Sequence, residues 1–176
     1  MKKMSAMLCL LLVASPLLSY DDDDVVRWRT IEGVITAQGV DNPVGSHQNT
    51  QIHSGTFAWS VRHGQARVNL SNGVTSFSVE GLVINGTAFS GTPGPISAVT
   101  GTLVCNADNT NTQTVLDTPP VPLDAHGDAA FAGTIGNIPA PCANPLFLLR
   151  IATPAGAAGR WIATGAERFT SSRSGF

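Results

Sequence analysis

Histidines are the side chains in this sequence best suited to bind a transition metal. Four are present, and three of them, His47, His53 and His63, border predicted loops that could meet at one end of a sheet. Three imidazoles can hold zinc or copper. The separations, six residues from His47 to His53 and ten from His53 to His63, match no metal-binding motif. We therefore expect exposed loop histidines, no bound metal and no cofactor.

Side-chain catalysis requires a nucleophile with a base, or two carboxyl groups across a cleft. None of the serines lies in a Gly-x-Ser-x-Gly elbow. Asp117, Asp124 and Asp128 flank a proline-rich stretch, where aspartate usually bonds its own backbone in turns. Glu32 and Glu80 each precede a glycine and resemble bulge or turn residues. We predict no catalytic residue, which favours a protein that is not an enzyme.

Two cysteines, Cys105 and Cys142, follow the first 20 residues. Neither belongs to a CxxC pair or stands beside a histidine, which disfavours a metal or redox site. Paired cysteines in an exported chain usually form a disulfide. Such a bond would close a 37-residue loop and contribute about 3–4 kcal/mol of stability.

The first 20 residues have the order of a secretory signal peptide. Lys2 and Lys3 precede an uncharged apolar run, residues 7–14, which is broken by Pro16. The run is too short to span a bilayer as a folded helix. We expect cleavage after Ser19 and a secreted, periplasmic or extracellular protein. An uncleaved N-terminal anchor is the alternative.

Charge argues against two classes of partner. Loss of Lys2 and Lys3 leaves eight basic residues, all arginine, against twelve acidic residues, for a net charge of −4. Four of the acids form the run Asp21–Asp24. Without a predicted basic patch, we expect no nucleic-acid partner and, after signal cleavage, no membrane partner.

Alternating apolar and polar residues predict an all-β protein after the signal. Residues 56–84 are predicted to form a three-strand antiparallel meander, with turns at His63-Gly64 and at Asn72-Gly73. The prolines after Leu116 predict an edge strand, and residues 146–152 a central strand.

The whole pattern predicts about eight or nine strands in a single antiparallel sandwich or a closed barrel. A barrel would follow if the strand of Trp28 pairs with the strand of Trp161, because that pairing would remove both edges. The predicted organisation is a signal peptide at 1–19, an acidic disordered leader at 20–25, an all-β domain at 26–170 and a disordered tail at 171–176.

One local resemblance concerns residues 118–135, which read TPPVPLDAHGDAAFAGTI. This segment is similar to the opening of CHRD-type extracellular domains, in which a Pro-Pro-Val stretch precedes a glycine and an alternating strand. It covers about a tenth of the chain. The His-rich and C-terminal motifs of that family are absent, so its function is not transferred.

Three functions remain open from the sequence. The first is a secreted, non-catalytic β-domain that acts as a binding or structural module of the cell exterior. The second is a barrel-type binder of a small apolar ligand, and the third is an enzyme on a β scaffold. An open interior would favour the second, and a polar cleft with two titratable groups the third. In the second function, the apolar ligand would contact four aromatic residues, Trp28, Trp59, Trp161 and Phe131. The partner is not identified from the sequence, and self-association is a further option.

Overall fold

The computed structural model describes residues 24–37, 40–44, 52–108, 112–153 and 156–170. The predicted signal peptide, leader residues 20–23 and the predicted tail lie outside these ranges. Val25, assigned to the leader from the sequence, begins the first strand and pairs with Asn69. No helix in the described ranges is long and apolar enough to cross a membrane.

Eleven strands make up the secondary structure of the described residues, and the all-β prediction is confirmed. Seven of the strands have six or more residues, and the other four have two to four. The bounds are β1 Val25–Gly33, β2 Trp59–Ser60, β3 His63–Asn69, β4 Val74–Glu80, β5 Val83–Ile84, β6 Ala98–Cys105, β7 Thr114–Asp117, β8 Val121–Pro122, β9 Ala129–Thr134, β10 Leu146–Ala152 and β11 Ala158–Thr170.

Nine of these strands form one curled antiparallel sheet with the shape of a half-barrel. Its order is β7-β6-β10-β11-β1-β3-β4-β9, with β8 also paired to β6, while β2 and β5 form a separate pair. The strands of Trp28 and Trp161 do pair, as β1 and β11. That pairing lies in the middle of the sheet and leaves β7 and β9 as its ends, so it does not close a barrel.

The hairpin of β3 and β4 is confirmed around Asn72 and Gly73. Gly73 has φ 72° and its N–H donates to the carbonyl of Asn69 at 2.9 Å. The side-chain oxygen of Asn72 accepts from the N–H of Val74 at 2.9 Å. Gly73 takes the left-handed conformation, as its residue type favours, and Asn72 stays outside that region.

The first strand of the meander predicted over residues 56–84 is wrong. Trp59–Ser60 pairs with β5 instead of β3. His63 and Gly64, predicted as a turn, are the first residues of β3. A Cβ on Gly64 would lie 2.7 Å from the Cβ of Ile31. The glycine therefore serves a close approach between strands, a use that the sequence does not distinguish from a turn.

The concave side of the sheet is filled by aromatic and aliphatic side chains. The rings of Trp28 and Phe77 lie 5.6 and 5.7 Å from that of Phe147, centroid to centroid. A Cβ on Gly101 would lie 2.7 Å from Phe77, and one on Gly165 would lie 2.6 Å from Trp28. The missing side chains of these glycines make room for the rings. The curl of the sheet therefore encloses a packed core.

Candidate functional site

The four aromatic residues predicted to hold an apolar ligand are packed as core. Trp28, Trp59 and Trp161 are at most 9% exposed. Half-buried Phe131 stacks on Phe77 at 5.9 Å. The indole N–H of Trp161 donates to a backbone carbonyl at 2.8 Å. Of the grooves on the described surface, the one that reaches Trp28 contains none of the other three. The interior thus lends no support to an apolar ligand.

Two of the three predicted histidines, His53 and His63, lie among the described residues. His47 lies outside the described residues, and His63 pairs across the strands with Glu80. His53 contacts the carboxylate of Asp41 through Nδ1, and Arg160 lies 3.6 Å from the same carboxylate. Within the described ranges, no group of three His, Cys, Asp or Glu side chains is placed to hold a metal. Asp41 orients the ring of His53, a partner that sequence reasoning missed because twelve residues separate them.

Cys105 and Cys142 are joined by a disulfide. Cys105 ends β6 and is fully buried. Next to it, the N–H of Asn106 donates to the carbonyl of Ala143 at 2.7 Å, and the N–H of Ala143 donates to Asn106 Oδ1 at 3.2 Å. The bond and these hydrogen bonds fasten the loop between β9 and β10 to the end of β6.

Polar side chains cover the convex side of the sheet over β1, β3 and β4. Successive residues of a strand point to opposite faces. Because Trp28 and Ala66 face the core as a cross-strand pair, Arg27 and its partner Arg67 face outward. Arg67 in turn pairs with Ser76 of β4. Three neighbouring strands therefore present a row of two arginines and a serine on the outer face.

Three contiguous grooves run along this outer face, with volumes of about 320, 390 and 290 Å³. The first and second grooves share Arg29, Gln65 and Ser78. The second and third share Arg67 and Ser76. We call the surface formed by the three grooves the outer track. It combines charged and hydrogen-bonding side chains from three neighbouring strands.

Arg29 lies at the junction of the first and second grooves. Its guanidinium carbon stands 3.9 Å from the centroid of the Phe169 ring. Stacking on an aromatic ring fixes the plane of a guanidinium and leaves its N–H groups at the edge. Among the described residues, Glu167 of the neighbouring strand included, no carboxylate forms an ion pair with Arg29. Arg29 therefore makes a cation–π contact at the junction of the first and second grooves.

The first groove brings together two carboxylates, Glu32 and Glu80, with His63 and Arg62. Arg62 lies 3.5 Å from Glu80, and both side chains are more than half exposed. Sequence reasoning treated the two glutamates as separate turn residues. They come from β1 and β4, which are joined only through β3. No local spacing in the sequence signals that they share a groove.

The pKa values of Asp124 and Arg150, which both lie outside the outer track, are shifted from their ordinary values. Hydrogen bonds from backbone N–H groups, that of Asp128 foremost, lower the pKa of the Asp124 carboxyl. Burial lowers the pKa of Arg150, and the charge of Asp117 opposes that effect. Arg150 donates to the carbonyls of Ala158 and Gly159 at 2.8 and 2.7 Å. Asp124 thus stabilises a turn, and Arg150 stabilises an irregular stretch of the β10–β11 ladder.

No protein-family model, no curated protein and no solved structure matches this chain. The local resemblance of residues 118–135 therefore gains no support from these comparisons.

Proposed function

We propose that this chain is an exported, non-catalytic binding module of the cell exterior, and that the outer track is its binding surface. The observation that carries the proposal is the continuity of the three grooves over β1, β3 and β4. The signal-like N-terminus and the disulfide support export, because disulfides persist in oxidising compartments. The filled interior supports an exterior site over a barrel lumen.

Binding on an exposed sheet face differs from binding in an enclosed pocket. Small ligands are usually bound in clefts that bury most of their surface. The outer track lies open along a convex face, so it suits an extended ligand that contacts several grooves at once. Its hydrogen-bonding groups include the side chains of Gln65, Ser76 and Ser78.

The proposal is tested by co-sedimentation of the purified mature protein with cell-surface material of the organism that produces it. Ser78→Trp places a large ring at the junction of two grooves and should abolish sedimentation. Ser60→Trp, a matched change of an exposed serine in β2 outside the three grooves, should leave it unchanged. Absence of sedimentation by the unmodified protein, or equal loss in both variants, would contradict the proposal. Export is tested on the same sample, whose N-terminal sequence should begin at Tyr20.

A second candidate function is an enzyme that hydrolyses a sugar polymer. The first groove favours it, because Glu32 and Glu80 line one cleft, and glycoside hydrolysis uses two carboxyl groups about 5–9.5 Å apart. Release of new reducing ends from a bound polymer, lost in Glu32→Gln and in Glu80→Gln, would establish this activity. Glu167→Gln, on an exposed glutamate outside the grooves, is the matched control.

A further inference from the structure

We infer that the ligand of the outer track is an acidic polysaccharide, whose carboxylate or sulfate groups bind at Arg29 and its neighbouring arginines. This inference rests on the proposed binding function and specifies its ligand class. It starts from Arg29, whose guanidinium carbon lies 3.9 Å from the centroid of the Phe169 ring. A guanidinium binds planar carboxylates and sulfate oxygens through two parallel hydrogen bonds.

The surroundings of Arg29 extend the positive charge along the second groove. Arg27 and Arg67 line the same groove and are direct partners across β1 and β3. Three arginines therefore line the second groove, and it is the part of the track suited to anionic groups.

The first groove has a different charge, and the difference limits the type of polyanion. Glu32 and Glu80 line its far side, beyond Arg29. A uniformly charged chain such as single-stranded DNA would place phosphates against these carboxylates. A polysaccharide offers neutral hydroxyls between its charged groups, and hydroxyls donate hydrogen bonds to carboxylates. Gln65 and Ser78, at the junction, can bond to hydroxyls as well.

The position of the track within the sheet disfavours an acidic peptide. Extended peptides commonly bind by adding a strand to a sheet edge, where backbone groups are unpaired. Strand β1 is paired on both sides, to β11 and β3, and β3 is paired to β1 and β4. The track therefore offers a ligand its side chains and no unpaired strand. Sugar rings, which need only side-chain hydrogen bonds and flat contacts, fit this arrangement.

Calorimetric titration of the full mature protein tests the inference with four probes: an oligogalacturonate, which carries carboxylates, a dextran sulfate, neutral dextran, and oligo-dT. We expect binding of at least one of the two acidic sugars and none of neutral dextran. Affinity should fall with added salt, because exposed charges are screened. Oligo-dT should bind at least about tenfold more weakly than the better acidic sugar, since its phosphates meet Glu32 and Glu80.

Variants of arginine locate the site. Arg29→Ala should weaken binding of the acidic sugar by about tenfold or more, as expected for a charge-assisted pair of hydrogen bonds. Arg29→Lys keeps the charge but loses the planar fork, and should also weaken it. Arg168 pairs across the strands with Trp28, whose side chain faces inward, and it lines none of the three grooves. Arg168→Ala therefore removes the same charge outside the track, and should change affinity less than about twofold. A melting curve for each variant verifies folding.

Several results would overturn the inference. These are no binding of either acidic sugar, equal binding of oligo-dT, or equal effects of Arg29→Ala and Arg168→Ala. If the unmodified protein still sediments with cell-surface material and Ser78→Trp abolishes that sedimentation, the binding function stands and only the ligand class is wrong. If sedimentation fails as well, both the function and its ligand class are wrong.

Discussion

The concave and convex faces of β1, β3 and β4 are built from alternate residues of the same strands, yet they have opposite properties. On β4, Thr75, Phe77 and Val79 are buried, whereas Ser76 and Ser78 face the outer track. On β1, Trp28 is buried between Arg27 and Arg29. The same backbone ladder thus fixes the core and the outer track. A rigid core is what holds exposed arginines at constant spacing.

The contrast also explains why the interior is an unsuitable ligand site. Its rings contact one another and fill the space left by Gly101 and Gly165. Ligand entry would require those contacts to separate. The outer grooves need no such rearrangement. Substitutions on the concave face should therefore lower stability, whereas substitutions on the convex face should weaken binding with little effect on stability.

The largest effect is expected on the concave face, for Phe77→Ala. Phe77 is 3% exposed and contacts the rings of Phe131 and Phe147. Removal of a buried ring leaves a cavity, and the free energy of unfolding should fall by about 3–5 kcal/mol. Urea denaturation followed by tryptophan fluorescence measures the change. A loss below about 1 kcal/mol would show that the concave face is not a packed core.

A smaller loss is expected when the disulfide is removed by Cys105→Ser together with Cys142→Ser. The bond closes a 37-residue loop, and its loss should lower the free energy of unfolding by about 2–4 kcal/mol. The same denaturation assay with a reductant provides the control. A reductant should destabilise the unmodified protein and leave the double variant unaffected. Alkylation of the unreduced, denatured protein at either cysteine would contradict the bond itself.

The turn that joins β3 to β4 should be moderately sensitive to Gly73→Val. Gly73 has φ 72°, and a Cβ there would lie 2.5 Å from the carbonyl oxygen of Ile135. Strain and contact together should cost about 1 kcal/mol or more. Gly86 has the same φ with no atom within 4 Å of its Cβ position. Gly86→Val should therefore be less destabilising, and equal melting temperatures for the two variants would contradict this account.

The sequence predicts what depends on local alternation and misses what depends on distant pairing. Strand β4 and its hairpin follow from period-two apolar residues and from Asn72-Gly73. The pairing of β2 with β5 was missed because Trp59–Ser60 is too short for alternation to select a partner. An open sheet was missed because β7 and β9, its two ends, are far from both termini.

The same limit applies to the outer track. Arg27 and Arg29 share one face of the first strand, as expected for alternate residues of a strand. Their proximity to Arg67 depends on the register of β1 and β3, and the stacking on Phe169 depends on β11. Residues about 140 positions apart along the chain thus form the centre of the track, and no single stretch of sequence contains that information.

The smallest effect on stability is expected for Ser78→Ala, next to Phe77 on the same strand. Ser78 faces outward, so loss of its hydroxyl should change the free energy of unfolding by no more than about 0.5 kcal/mol. Its cross-strand partners are Gln65 and Ala130, and alanine fits between them without a cavity. Binding to cell-surface material should nevertheless weaken, because the hydroxyl lies where two grooves meet. Denaturation and co-sedimentation of one sample measure both quantities. A loss of stability comparable to that of Phe77→Ala would mean that the convex face is structural, and unchanged binding would place the ligand elsewhere on the surface.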